Sequence, residues 1–168
     1  NQASHHLDLL EWMMGDVESV FARMTTALVD VETEDTAIVT LKFKNGALGI
    51  IEATTATRPK NLEGSISILG EHGTVIVGGV AVNEMQTWVF EDEQEGDSSV
   101  LEEFSVNPPN VYGFGHQAYY EHVVDCIVNR SANLVDGLQG RKSIELISAI
   151  YESAETGKEV FLKFQPKN

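Results

Sequence analysis

The chain has 168 residues, 42% of them apolar, and a formal net charge of −15 from 26 acidic and 11 basic side chains. That size and composition allow one compact domain with its own core, while the acidic balance repels phosphate backbones and anionic lipid, so nucleic acid and membrane surfaces are excluded as partners. No apolar run approaches the ~18 residues of a bilayer span and none reads as a signal peptide; the single cysteine, Cys126, permits no internal disulfide and fits a reducing, cytoplasmic setting.

The chain opens on Asn1-Gln2-Ala3-Ser4-His5-His6-Leu7-Asp8. Leu7, Leu10 and Met14 recur at helical spacing with Leu9 and Met13 beside them, and Gly15 is a natural stop. With no start Met and no capping residue ahead of it, this helix is expected to be half of a site whose other half lies on preceding sequence. Val17 to Leu28 then reads as a strand. Thr36 to Phe43 alternates, with Ala37, Val39, Leu41 and Phe43 facing one way and Thr36, Ile38, Thr40 and Lys42 the other. Lys44-Asn45-Gly46 reverses the chain, because Asn-Gly tolerates positive φ, so Ala47 to Thr55 should pair antiparallel with the strand before it.

A second hairpin is expected at Ser65–Leu69 and Thr74–Val77 through Gly70-Glu71-His72-Gly73, and a third pair at Thr87–Phe90 and Val100–Val106. Between the last two, Glu91, Asp92, Glu93, Glu95 and Asp97 crowd a solvated loop that lacks the ordered ligand spacing of a calcium site. Asn107-Pro108-Pro109-Asn110 cannot continue a ladder, and Tyr112-Gly113-Phe114-Gly115-His116 is a glycine-hinged aromatic loop. Two helices follow. Tyr120, Val123, Val124, Ile127 and Val128 form one apolar face; Ile144, Ile147, Ile150, Tyr151 and Ala154 form the other, stopped by Gly157, before a final strand Val160–Phe164. Helices at the chain ends rather than between strands give an α+β class: one domain over 1–168, an open, mostly antiparallel sheet of about six strands, and three helices on one face. Alternation leaves Ile38, Leu48 and Ile50 together on the opposite face, which a lone domain would expose, so a second subunit is expected to cover it.

Several residues can carry chemistry. Asn1 and His5 are four apart on one helix face, with Asp8 a turn further on. A neutral imidazole can take a proton from a hydroxyl near pH 7; Asn1 can hold that hydroxyl, and Asp8 can fix a ring tautomer. Spacing alone leaves a plain polar helix end equally open. A metal site from His5, His6 and Asp8 fits poorly, since adjacent histidines point about 100° apart on a helix. Thr54-Thr55-Ala56-Thr57-Arg58-Pro59-Lys60 follows a strand; Thr57 and Arg58 can seat a carboxylate or phosphate, or simply form a threonine-rich exit. Tyr112 and His116 can stack on and hydrogen-bond a sugar or base. Gly64, Gly70, Gly73, Gly78 and Gly79 do not form the strand–G-x-G-x-x-G–helix order of a dinucleotide site. Cys126 lies in an apolar helix and is expected in the core.

In order along the chain, Asn1…His5-His6-Leu7-Asp8-Leu9-Leu10…Gly15, then Glu34-Asp35-Thr36-Ala37, Asn45-Gly46-Ala47-Leu48-Gly49, and Ser153-Ala154-x-x-Gly157 before the last strand, resemble the C-terminal domain of the Gfo/Idh/MocA oxidoreductases. The double His, Asn in place of the commoner Asp, and Ala53 to Pro59 are most similar to the UDP-N-acetylglucosaminuronate dehydrogenases of that family. The resemblance implies an N-terminal Rossmann domain, absent from this sequence, that binds NAD and carries a catalytic Lys. It implies that His5 accepts the sugar hydroxyl's proton, that Asn1 positions rather than abstracts, and that the open sheet face assembles a homo-oligomer. The expected function is therefore the substrate-binding and oligomerisation domain of an NAD-dependent dehydrogenase of a UDP-sugar acid, of the kind used in bacterial polysaccharide and O-antigen synthesis. On that reading the domain alone neither binds NADH nor oxidises sugars. The alternatives are a non-catalytic assembly module, a dehydrogenase of a simple sugar or inositol, and a metal-dependent hydrolase.

Overall fold

A computed structural model describes residues 3–60, 62, 64–79, 82–106 and 113–163. The elements run α1 (Ser4–Met14), β1 (Val17–Thr25), β2 (Thr36–Phe43), β3 (Leu48–Thr54), β4 (Ile66–Leu69), β5 (Gly73–Gly78), β6 (Glu84–Phe90), α2 (Asp97–Glu103), α3 (Gly115–Asn129), α4 (Gly137–Thr156) and β7 (Val160–Phe161). They divide into two compact units, Asn1–Asn61 with Val135–Asn168, and Leu62–Leu134. The α+β class and antiparallel pairing match the sequence expectation. The strands, however, form two sheets, of four and three strands, rather than one.

In the first unit the strand order is β3-β2-β1-β7, antiparallel throughout. The alternation in β2 does what its pattern dictates: Ala37, Val39, Leu41 and Phe43 are buried while Ile38, Thr40 and Lys42 are exposed. Phe43, Leu41 and Val39 meet Val20 and Ala22 of β1, and α4 covers this face with Leu146, Ala149 and Ile150. The α1 helix packs on α4 and adds Leu7. The β2–β3 reversal uses a left-handed residue only at Gly46, φ 91°. It is thus the longer form with one αL glycine rather than the two-residue turn that places both residues at positive φ. Asn45 fixes it, donating Nδ2 to Met14 O at 3.0 Å and accepting from Ala47 N at 3.0 Å.

The strand expected over Val17–Leu28 ends at Thr25, because the next amides turn to a side chain: Ala27, Leu28 and Val29 all donate to Asp35 Oδ2, at 2.9, 2.6 and 2.9 Å. The final strand is likewise short. Lys163 N donates to Glu145 Oε1 at 2.9 Å instead of extending the ladder, and Phe164 lies outside the described residues. Beyond the reach of β7, Ala22 N is satisfied by Ser153 Oγ at 3.0 Å, and that hydroxyl donates to Lys158 O at 2.5 Å. Ser153 is fully buried. Ser153→Ala is expected to cost about 1–3 kcal/mol, because the buried Ala22 amide and the Lys158 carbonyl lose their partner; denaturant unfolding of the variant measures it, and an unchanged midpoint would contradict this role.

The second unit is a β4-β5-β6 meander with α2 beside β6 and α3 following. Gly73 pairs with Phe90, and a Cβ there would sit 2.3 Å from the Phe90 ring, so the strand accepts only glycine at that position. The third hairpin does not form. Asp97 accepts from Trp88 Nε1 at 2.8 Å and from Gln94 N at 2.7 Å, folding the acidic loop back so that residues 97–103 coil as α2. Among the described residues after α2, Ser105 makes a single bridge to β6, at Glu84. Val100 and Phe104 satisfy a helical period, four apart, as well as an alternating one with Val106, which is why the pattern alone misassigned them. Cys126 is half-buried rather than core: its Sγ lies 3.4 Å from Ala132 O and 3.5 Å from His122 Nε2. Among the described residues no helix is long and apolar enough to cross a membrane.

Candidate functional site

The α1 helix places its two histidines differently. His5 is exposed, while His6 is half-buried with its Nε2 enclosed and unpartnered. Burial first, and the neighbouring His5 second, push the His6 imidazole below its usual range, so it is neutral at pH 7. Asn1 lies outside the described residues. Asp8 does not orient an imidazole. Its carboxylate accepts a short hydrogen bond from Ser143 on α4, which ties the exposed side of α1 to its support.

Beneath α1 lies a charged cluster that the sequence did not signal. Asp16 accepts from Lys142 at 2.9 Å and Lys44 at 3.3 Å, and these two bonds, Lys142 foremost, hold its carboxyl below the ordinary range. Glu11 is buried on the inner side of α1. Burial raises its pKa and one carboxylate oxygen has no partner. With Lys44, Lys142 and Glu145 it lines a cavity of about 10 Å³, the size of one water. These groups fix the base of α1 on α4 and the β2–β3 turn; none of them faces the His5 side of the helix with a hydrogen bond.

Thr57 and Arg58 follow β3. The start of this segment is pinned: Thr54 Oγ1 pairs with Thr36 Oγ1 at 2.9 Å and accepts from Ala56 N at 3.0 Å, while Thr55 N donates to Asp35 O at 2.8 Å. Arg58 is exposed and donates one guanidinium nitrogen to Thr57 O at 2.8 Å. Among the described residues no hydrogen bond or ion pair joins His5 to Thr57 or Arg58. His116 is exposed near the start of α3 in the second unit, and Tyr112 lies outside the described residues. Among the described residues no group of three or more His, Cys, Asp or Glu side chains stands close enough to hold a metal ion.

A dinucleotide would require a glycine turn opening a helix. Gly73 and Gly78 instead lie within antiparallel β5, so the described residues do not form a nicotinamide–dinucleotide cradle. What they do offer is an exposed imidazole on a helix braced by a second helix, and an exposed guanidinium on a pinned strand exit.

The family model for the C-terminal alpha/beta domain of the oxidoreductase family (GFO_IDH_MocA_C) matches residues 1–162. The WlbA dehydrogenase of Bordetella pertussis, solved with NADH and UDP-GlcNAcA, superimposes with a TM-score of 0.89 at 45% identity over 98% of this chain and 47% of its own. The WlbA enzyme of Chromobacterium violaceum, with the same two ligands, gives 0.86 at 45% identity over 99% and 46%. A D-apiose dehydrogenase of Rhizobium rhizogenes is 25% identical over 93% of this chain and 46% of its own length. The chain thus spans about half the length of the relatives it matches.

Proposed function

The chain belongs to the Gfo/Idh/MocA oxidoreductase family, as its C-terminal alpha/beta domain, and on that premise we propose that it is the substrate-binding and assembly domain of an NAD-dependent dehydrogenase acting on a UDP-sugar acid. The observation that carries this reading is the 45% identity, over nearly the whole chain, to two enzymes solved with NADH and UDP-GlcNAcA. Identity to the free-sugar enzyme is 25%. The dinucleotide belongs to a preceding Rossmann domain, since the described residues do not fit it. A nicotinamide held on that domain would supply the hydride acceptor for the oxidation.

This chain supplies the proton side and the anchor. His5, exposed on α1, accepts the proton of the reacting hydroxyl at a ring nitrogen. Asn1 has no base function, because an amide cannot take the proton; its role is to hold the hydroxyl. Arg58, with the Thr57 hydroxyl beside it, holds the diphosphate or carboxylate of the substrate by charge-assisted hydrogen bonds in an otherwise acidic chain. His116 and Tyr112 are further candidates for hydrogen bonding and stacking on sugar or base. Such an enzyme draws on the cytoplasmic pools of NAD and UDP-sugars and feeds bacterial polysaccharide or O-antigen synthesis. Calorimetric titration of the full two-domain protein tests the substrate class. UDP-GlcNAcA is expected to bind at least about tenfold more tightly than D-apiose or myo-inositol; equal or reversed affinities would assign the domain to a free sugar.

The open face of the four-stranded sheet supports self-association. Leu48 and Ile50 are 79% and 76% exposed, with Ile38 beside them, and Phe21 on the same face carries the Arg23 guanidinium 5.1 Å from its ring centre. Glu52 pairs with Ile38, which pairs with Arg23, so face-to-face packing of two copies sets an acid and a base on both sides of the apolar strip. Ile50→Glu in the full protein is expected to convert an oligomer to monomers at micromolar concentration in analytical ultracentrifugation. An unchanged mass would remove this face from the assembly.

A further inference from the structure

Glu11 is the one charged residue that α1 buries, at 9% exposure, beside Leu7. The other buried polar side chains of this unit are met by protein groups. Ser19 donates to Glu159, Asp35 gathers three backbone amides on Oδ2, and Ser153 joins Ala22 N to Lys158 O. Glu11 Oε2 is enclosed and finds no partner among the described residues. It lines a cavity whose cations are already engaged: Lys142 and Lys44 both bond to Asp16, at 2.9 and 3.3 Å. Glu145, on the same lining, accepts from Lys163 N at 2.9 Å. At about 10 Å³ the cavity has room for one water and nothing larger. Its lining also selects a neutral guest. Lys44 and Lys142 repel a cation, while Glu11, Asp16 and Glu145 repel an anion. A water exchanges hydrogen bonds with both signs of group, as donor to the carboxyls and acceptor from the ammoniums.

We propose that this cavity is a water-binding site, in which one buried water joins Glu11 to the Asp16–Lys142 pair, and that Glu11 acts through it as a positioning residue for His5; the second half rests on the dehydrogenase reading above. The α1 helix is a single body of 11 residues, so Glu11 on its inner side and His5 on its outer side move together, about 9 Å apart along the axis. Glu11 lies between the two direct ties to α4, Asp8 with Ser143 and Asp16 with Lys142. Without the water the carboxyl must turn toward solvent, which changes the spacing of the two helices and moves His5. The proton on Glu11 belongs to the same device. Burial foremost raises its pKa; Lys142 of α4 opposes, and Asp16, Asp8 and Glu145 reinforce, with Lys44 of the β2–β3 turn completing the charged lining. The stability this proton confers is complete below the ordinary glutamate range and is lost as the pH rises through the folded value.

A crystal structure of the full two-domain protein is expected to show a water within about 3.2 Å of Glu11 and of Asp16 or Lys142. A direct Glu11–Lys142 ion pair, or a cavity without water, would overturn the site. Glu11→Gln keeps the shape and the acceptor but cannot ionise. Its melting temperature is expected to gain on wild type as the pH rises from about 4 to about 8; a difference that does not change with pH would mean a solvated, ionised Glu11 and would overturn the bridge. Glu11→Met keeps the volume and removes the acceptor. It is expected to lower kcat at least about tenfold, with KM for the UDP-sugar within about threefold, and Glu11→Gln to restore kcat. Wild-type kcat in Glu11→Met, or an equal loss in Glu11→Gln, would overturn the positioning role. A wild type that oxidises no UDP-sugar would sink the dehydrogenase reading instead, and the bound water and the melts would still decide the site.

Discussion

His5→Ala in the full two-domain enzyme is expected to lower kcat by about 10²–10⁴ while leaving NADH affinity unchanged, the usual yield of a positioned proton acceptor. The expectation rests on placement. His5 is the exposed imidazole of α1, and that helix is held from behind by Leu7 in the core, by Ser143 on Asp8, and by the Asp16–Lys142 pair at its C-terminal end. The ring therefore stands on a helix anchored by these contacts. His6 is the internal rival. It is neutral through burial, but its Nε2 is enclosed, so a hydroxyl cannot reach that nitrogen. If His5→Ala kept turnover within about threefold of wild type, under ~1 kcal/mol in barrier, while His6→Ala abolished it, the base would be His6.

Asp35 carries the largest expected effect on stability. Its carboxylate gathers three consecutive backbone amides, and these bonds, Leu28 and Val29 foremost, pull its pKa down to about 2. A carboxylate with a lowered folded pKa stabilises the fold above its unfolded value and loses that contribution as pH falls through the folded value. The window is therefore from about pH 4 down to about pH 2. Asp35→Ala leaves the amides of Ala27, Leu28 and Val29 without their acceptor and releases the loop that shapes both the end of β1 and, through Asp35 O, the Thr55 amide. A fall in Tm of about 5–10 °C at pH 7 is expected, narrowing as the pH drops through that window. Thermal melts of both proteins from pH 7 to pH 3 check it; identical melting at pH 7 would show that the loop is held by something else. Because Thr55 leads into Thr57 and Arg58, the same variant is expected to weaken substrate affinity before it affects NADH.

What could be read from the sequence was local chemistry. Gly15 ended α1, Gly46 turned the β2–β3 hairpin, Gly157 ended α4, and the alternation of β2 told buried from exposed side chains residue by residue. What could not be read depended on partners distant in sequence. β1 stops early because Asp35 captures its following amides, ten residues on from Thr25. Asp97 to Glu103 coils because Trp88 and Gln94 share Asp97. The apolar pattern of α3 correctly gave a helix but not its surroundings, so Cys126, expected in the core, is half-buried, and Tyr120 on the apolar face is exposed. For the candidate site the residue types were legible, but their supports were not: Ser143 under Asp8 and Lys142 under Asp16 lie on α4, far along the chain. Asn1 and Tyr112 fall outside the described residues, so their part in the site rests on the sequence alone.

The central claim, that this domain presents a UDP-sugar acid to a nicotinamide, is tested most directly by nicotinamide reduction. The full two-domain protein is mixed with NAD⁺ and UDP-GlcNAcA, and NADH is followed by absorbance, with D-apiose and myo-inositol as parallel substrates. NADH formation with the UDP-sugar, abolished by His5→Ala, is the predicted result. NADH formation with a free sugar only, or none with any of the three in protein that binds NADH, would contradict it.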